Sequence, residues 1–237
     1  NFNLFFVLQR KGLRKFLHDD ELRFYLAVIG IASTAIFICN QVNSNFKDTA
    51  RSLLDSFFQV VSILTTTGYM TDDYDLWPTF SRMILFCLFF FGGCSSSTSG
   101  GIKCVRVLVC LKLVRRSISL RLHPNRIAPI TLNESEVPSE VIINITNFVF
   151  TYIAVIFAGM FLISVDNLDF MSTFSAVATC VGNIGPGFNL VGPTCNFSVL
   201  SDFSTVICSL LMLAGRLELI TVLALFSKYY WNSNKTK

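Results

Sequence analysis

Two apolar segments of this chain stop too early to have crossed a membrane. Leu53 to Leu64 runs into Thr65-Thr66-Thr67-Gly68-Tyr69, and Met171 to Val181 runs into Gly182-Asn183-Ile184-Gly185-Pro186. A hydrocarbon core about 30 Å thick needs roughly 20 helical residues, so a dozen can only dip in and return. Backbone that leaves a helix at that depth survives only where protein buries it or where it lines a water-filled path. Gly68 and Gly185 stand 117 positions apart, and each turn lies between two longer hydrophobic stretches. Small-residue turns so placed predict an ion or solute filter.

Four spans follow from the hydropathy, about Phe24–Ile38, Thr79–Val114 (interrupted), Val141–Val165 and Phe203–Phe226. A chain 52% hydrophobic, 14% charged and carrying 24 phenylalanines is a membrane protein rather than a soluble domain. It opens on Asn1 without a cleavable signal region and is expected to be a segment of something longer. Arg10, Lys11, Arg14 and Lys15 precede the first span, and Lys103, Arg106, Lys112, Arg115, Arg116, Arg121 and Arg126 follow the second. Lys228, Lys235 and Lys237 follow the last, whereas Asp48, Asp72, Asp73, Asp75, Asp166, Asp169 and Asp202 fall on the opposite side. The basic ends are therefore cytoplasmic and both dips enter from outside. Juxtamembrane basic clusters are topology signals and lipid-headgroup contacts, so no nucleic-acid partner is expected. The eight cysteines and two histidines form no ligand spacing and no catalytic cluster, so an enzyme is the least favoured class.

The order span, dip, span occurs twice. The expected organisation is a cytoplasmic segment over 1–23, a first repeat over 24–116, a connector over 117–140, a second repeat over 141–231 and a tail over 232–237. Each repeat crosses twice, so both keep one orientation and gather around an axis along the membrane normal. Two such units do not close a carbonyl-lined ring, for which four is the natural number. The fold class expected is an all-α membrane protein, two parallel span–pore helix–span repeats of a pseudo-fourfold cation channel.

Three groups of residues carry the expected chemistry. Thr66, Thr67, Gly68, Asn183, Ile184 and Gly185 would present backbone oxygens to a dehydrated monovalent cation, glycine allowing carbonyls to face the axis. A glycine loop at the surface is the competing reading of either turn, and two turns in register favour the filter. Ile184 stands where the first repeat has a hydroxyl residue, so the ring is unequal. The second group breaks the Thr79–Val114 span, whose 36 residues would make one helix of about 54 Å. Its middle reads Gly92-Gly93-Cys94-Ser95-Ser96-Ser97-Thr98-Ser99-Gly100-Gly101, a poor continuous helix and a loop suited to gating beneath the filter. A phosphate-binding loop fails there because Ile102 intervenes before Lys103 and Cys104 replaces the hydroxyl residue. The third group is Arg216 and Glu218 in the last span, expected about 200° apart around one helix, with Arg216 a candidate barrier below the filter. Asp72, Asp73 and Asp75 follow the first turn and are candidates for concentrating cations outside.

Taken in order, Thr65–Tyr69 with Asp73-Tyr74, Gly92–Lys103, Asn183–Phe188, Leu200–Phe203 and Gly215–Glu218 resemble the Trk/Ktr/HKT superfamily of potassium uptake proteins, most closely its TrkH-type membrane subunits. The resemblance covers nearly the whole chain. It implies four span–dip–span repeats, of which this chain looks like the third and fourth, with an N-terminal half carrying two more. It implies potassium as the transported species, held at Thr67, Gly68, Ile184 and Gly185, and no cofactor bound by this chain. It also implies an intramembrane gate at Gly92–Gly101, Arg216 projecting into the pore, and a homodimer in the bacterial cytoplasmic membrane. Finally it implies a cytosolic TrkA-like nucleotide-binding regulatory subunit. The alternative reading is a secondary cation-coupled solute transporter built on discontinuous helices.

Overall fold

Aspartate and serine side chains cap α-helices at Asp48, Asp169 and Ser201, and the breaks between helices set the architecture of the chain. The structure, a computed structural model, describes residue 9 and residues 18–43, 48–95, 97–123, 128–133, 135–219 and 221–222. Helix α1, Asp20–Asn43, is followed by α2, Thr49–Leu64, whose N-cap Asp48 accepts from the amides of Ala50 and Arg51. Then come α3, Thr79–Leu88, and α4, Cys104–Leu122. A two-stranded hairpin pairs Thr131–Leu132 with Ser135–Glu136. The second half repeats the pattern with α5, Ser139–Ile163, α6, Phe170–Gly182, and α7, Asp202–Arg216. Asp169 caps α6 through the Ser172 amide, and Ser201 caps α7 through that of Ser204.

Length sorts these elements. Only α1 and the stretch Ser139–Asp166 among the described residues are long and apolar enough to cross a membrane unaided. At 1.5 Å per residue the 16-residue α2 and the 13-residue α6 reach about 24 and 20 Å, enough to enter a bilayer but not to leave it. Ile31, Phe150 and Phe161 are exposed on the outer helices, as lipid-facing residues are. Apolar residues exposed to lipid tails drive no association, so these helices assemble by close packing and internal hydrogen bonds.

Two cores result, and each borrows from the other repeat. One joins Ile36, Val60, Ile63 and Leu85 to Ala178, Ile184 and Phe188; the other joins Phe148, Tyr152, Val177 and Leu211 to Ile102. An aromatic cluster welds them. Phe89 lies 5.1 Å from Phe188 between ring centroids, Phe86 lies 5.1 Å from Phe174, and Tyr74 meets Phe188 edge-on at 5.3 Å. The buried Tyr74 hydroxyl donates to Gly187 O at 2.7 Å, tying the loop after the first turn to the loop after the second.

Several boundaries differ from expectation. The interruption of the second span covers 89–103, wider than the glycine run, because Phe89, Phe90 and Phe91 tighten to i→i−3 bonds as the Phe89 and Phe90 rings enter the aromatic cluster. Helix α4 passes the expected boundary at 116 and ends at Leu122, so the connector over 117–140 opens as helix and closes as a hairpin. The last span expected over Phe203–Phe226 breaks after Arg216, with Leu217 capping α7 and Glu218 at φ 61°. The segment over 1–23 is described only at residues 9 and 18–23, and the tail over 232–237 lies outside the described residues. So do Ser96, Arg126 and the basic residues Arg10, Lys11, Arg14, Lys15, Lys228, Lys235 and Lys237.

Replacing Tyr74 by Phe keeps the ring contacts and leaves the buried Gly187 carbonyl without its donor. Thermal or denaturant unfolding of the purified protein should show a loss of about 1–3 kcal/mol, whereas no change would mean that the weld is aromatic alone.

Candidate functional site: two carbonyl turns above a backbone loop

The two turns at the ends of α2 and α6 share two backbone bonds at the 117-residue offset. Thr66 N donates to Ile63 O at 3.0 Å and Asn183 N to Cys180 O at 3.2 Å. Thr67 N then reaches back to Ser62 O at 2.9 Å, and Ile184 N to Thr179 O at 3.0 Å. Thr66 and Asn183 are left-handed at φ 54° and 53°, and the glycines follow at φ 76° for Gly68 and 118° for Gly185. With their amides turned back onto the helix, these residues have carbonyls free to face away from it. Asparagine tolerates the left-handed region, but for β-branched Thr66 it is an outlier costing about 1–3 kcal/mol. Such strain persists only where flanking bonds fix the backbone.

All six expected filter residues lie in these turns, and the turns touch. A Cβ on Gly68 would fall 2.2 Å from Ile184 O, so glycine is required by approach as well as by φ. The Ile184 side chain is buried in the first repeat's core, which accounts for an apolar residue there: its position supplies a carbonyl, and its side chain supplies packing. The hydroxyls of Thr65 and Thr67 bond each other at 2.8 Å, and that of Thr65 also bonds Val61 O, so they brace the turn. Both turns sit at helix C-termini, where the aligned peptide dipoles leave about half a negative charge, favourable to a cation.

Beneath them lies the loop between α3 and α4. It closes on itself: Gly92 N donates to Ile102 O at 2.8 Å and Ile102 N to Phe90 O at 3.0 Å, a parallel bridge joining Phe91 and Ile102. Gly93, Ser95, Ser97, Thr98, Ser99, Gly100 and Gly101 lie within this excursion. Gly100 packs on the end of α6, where a Cβ would come 2.2 Å from Gly182 O. Lys103 Nζ donates to Ser97 O at 2.5 Å, and Arg216 Nη1 donates to Thr98 O. A cavity of about 280 Å³ is lined by Ser97, Thr98, Lys103, Arg106, Arg216 and Glu218.

The opposite-sides geometry expected for Arg216 and Glu218 on one helix is corrected by the break after Arg216. Glu218 leaves the helix and pairs with Arg106 at 3.1 Å, while Arg106 lies 3.8 Å over the Phe148 ring. Arg216 faces the loop instead. The two charges still part company, through a backbone break rather than helical phase.

The sequence reading missed Glu21. Its buried carboxylate accepts from Ser95 N at 2.5 Å and from Ser95 Oγ at 2.9 Å, clamping the loop to the start of α1. Its neighbours fasten the same corner: Asp20 accepts from Lys112 Nζ at 2.8 Å, and Asp19 accepts from Asn133 Nδ2 at 2.8 Å. Three consecutive acids on an otherwise basic face were the available signal.

The outer aspartates are half-buried, and each already has a protein donor. Asp72 accepts from Trp77 Nε1 at 2.7 Å, Asp73 from Asp75 N at 3.1 Å, and Asp75 from Asn189 N at 3.0 Å. Fastening loops is their visible role. Burial pushes the Asp75 carboxyl up to about 6, with the Asp73 charge adding to the rise and the Asn189 amide and Arg82 opposing it.

Short re-entrant helices, carbonyl turns at their C-terminal ends and a backbone loop across the path below define a pore-loop membrane transport protein. The chain matches the family model TrkH, cation transport protein, over residues 12–235 and belongs to that family. It is 34% identical over 235 residues to the Trk system potassium uptake protein TrkH of Salmonella typhimurium, covering 98% of this chain and 48% of that protein. Against TrkG of Escherichia coli K12 it is 33% identical over 237 residues, with the same coverage of each. The crystal structure of the potassium transporter TrkH from Vibrio parahaemolyticus superposes with a TM-score of 0.89 at 29% identity, over 98% of this chain and 50% of that one. The chain thus spans about half the length of the relatives it matches. The all-α membrane architecture expected from the sequence is the one observed.

Two outcomes follow from this geometry. Glu21→Ala removes a charge-assisted clamp worth about 1.5–3 kcal/mol, so the buried Cys94 next to Ser95 should react with maleimide about ten-fold or more faster, read by mass spectrometry. An unchanged rate would mean that Glu21 does not hold the loop. For Asp75 the native form binds protons more tightly than the unfolded one, between the ordinary carboxylate value and about 6. Stability therefore falls as pH rises through that window. Melting followed by Trp77 fluorescence should decline from pH 4.5 to 6.5, and less so in Asp75→Asn.

Proposed function

We propose that this chain supplies two of the four filter turns of a potassium-conducting pore, the other two coming from sequence outside it. The observation that carries the reading is the shared pair of backbone bonds and the matching positive-φ positions of the turns at Thr66–Gly68 and Asn183–Gly185. Carbonyls of Thr67, Gly68, Ile184 and Gly185, with those of Thr66 and Asn183, replace the hydration shell of potassium, which is the cargo. No fixed carboxylate sits in either turn to trap the ion. The relatives' names, which describe potassium uptake proteins, support the choice of ion. Transport of this kind is not an enzymatic reaction, and no resident cofactor is needed for it.

The loop over 92–101 is the gate. It closes the path while Gly100 rests on Gly182 and the Arg216 guanidinium is held at Thr98 O. A cation leaving the filter then meets a positive charge and a wall of backbone. Opening requires the loop to leave α6 and carry the arginine's acceptor with it. Asp72, Asp73 and Asp75 add negative potential at the outer mouth. The repeats at 24–116 and 141–231 lie in a bacterial cytoplasmic membrane as half of each protomer of a homodimer. The basic face is cytosolic and receives a nucleotide-binding regulatory subunit. Parallel repeats and paired turns favour a pore over an alternating-access carrier.

Potassium uptake by the intact protein in a bacterium lacking other potassium uptake tests the filter. Gly68→Ser should abolish rescue at low potassium, since its side chain meets Ile184 O. Gly185→Ser, where a Cβ meets nothing within 4 Å but φ is 118°, should keep partial uptake and admit sodium. Full rescue by both variants would remove these turns from the conduction path.

A further inference from the structure

We propose that the cleft between α4 and the segment leading into the hairpin binds the phosphate of an anionic phospholipid. The cleft has a volume of about 250 Å³ and is lined by Lys112, Arg115, Arg116, Ser119, Pro129 and Thr131 among others. Lys112 Nζ donates at 2.8 Å both to Asp20 Oδ2 and to Thr131 O, which fixes one cation at the mouth. Among the described residues no ion pair engages Arg115 or Arg116. Their guanidinium groups are the side chains best shaped to take a phosphate through paired N–H donors.

The position of the cleft identifies the source of the phosphate. Asp20, the partner of Lys112, is the first residue of α1, a 24-residue span, so the cleft lies at the level where a span begins. Around α4, at 100° per residue, Arg115, Ser119, Lys112 and Arg116 fall about 40°, 80°, 100° and 140° from Leu111. Beside them, from about 60° on the other side of Leu111 to about 20° on theirs, runs an apolar strip, Leu111, Val114, Ile118 and Leu122, exposed by 47%, 56%, 56% and 71%. A basic cleft flanking an exposed aliphatic strip matches a molecule with an anionic head and acyl tails. A soluble nucleotide has no use for the strip, and among the described residues no aromatic side chain lines the cleft to stack on a base. The inference needs the chain to lie in a membrane and is independent of which ion the pore carries.

The test uses the intact protein in a neutral detergent. Phosphatidylglycerol, phosphatidylcholine or inorganic phosphate is added alone, and bound lipid is measured by native mass spectrometry and by the shift in melting temperature. Phosphatidylglycerol should be retained and stabilising, and phosphatidylcholine should not. Arg115→Ala/Arg116→Ala should weaken phosphatidylglycerol binding about thirty-fold, about 1 kcal/mol for each arginine, and Arg115→Lys/Arg116→Lys should keep most of it. Should the alanine variant fail to fold, Ser119→Asp, which brings a like charge into the cleft, must give a comparable loss. Equal retention of phosphatidylglycerol by wild type and these variants would overturn the site. Stabilisation by inorganic phosphate that phosphatidylglycerol does not displace would overturn the lipid and leave a free anion as the ligand.

Discussion

The two turns and the loop between α3 and α4 obey one constraint: backbone polar groups at membrane depth must find partners inside the protein. The turns after α2 and α6 meet it by folding their amides back onto the helix that precedes them, Thr67 onto Ser62 and Ile184 onto Thr179. The loop between α3 and α4 meets it with the bridge joining Phe91 and Ile102. In the turns the donors are consumed and carbonyls remain, whereas in the loop Phe90, Gly93, Ser97, Thr98 and Ile102 carbonyls are themselves taken as acceptors. Carbonyls at the negative ends of helices favour cations without any ionised side chain, which is the physical basis of the proposed filter.

The same economy explains the glycines that matter. Where two backbones approach as closely as Gly68 and Ile184, or Gly100 and Gly182, a single methyl group would collide with a carbonyl. These contacts bring the two turns, α6 and the loop into one assembly, the loop resting directly on the C-terminal end of α6. Charged residues then hold the loop from three directions: Glu21 at Ser95, Lys103 at Ser97 and Arg216 at Thr98. Glu21 lies on the first span, Lys103 is the N-cap of the fourth helix and Arg216 ends the last, so the loop is a meeting point for all three.

Much of this was legible in the sequence because it depends on length and local chemistry. Segments too short to cross, glycines after them, and a run of four glycines and five hydroxyls inside a 36-residue span all follow from what a bilayer permits. The break after Arg216 was not legible. Leu213 to Leu225 reads as unbroken apolar helix with two charges, and nothing in the sequence favours a left-handed Glu218. The role of Glu21 was hidden for another reason: its partner Ser95 lies 74 positions away, a pairing that only packing creates. The outer aspartates show the opposite failing, for their charge was plain while their commitment to Trp77, Asn189 and the loop backbone was not.

Taken alone, the sequence determined that the chain lies in a membrane, that it repeats, and where its backbone must leave the helix. Those properties follow from hydrocarbon thickness and from the absence of water to satisfy a peptide group. Tertiary structure decided which carbonyl faces which glycine, which acid clamps the loop, and that Arg216 and Glu218 part by a break in the chain. Such pairings join residues about a hundred positions apart, and their energies exist only once the helices are packed.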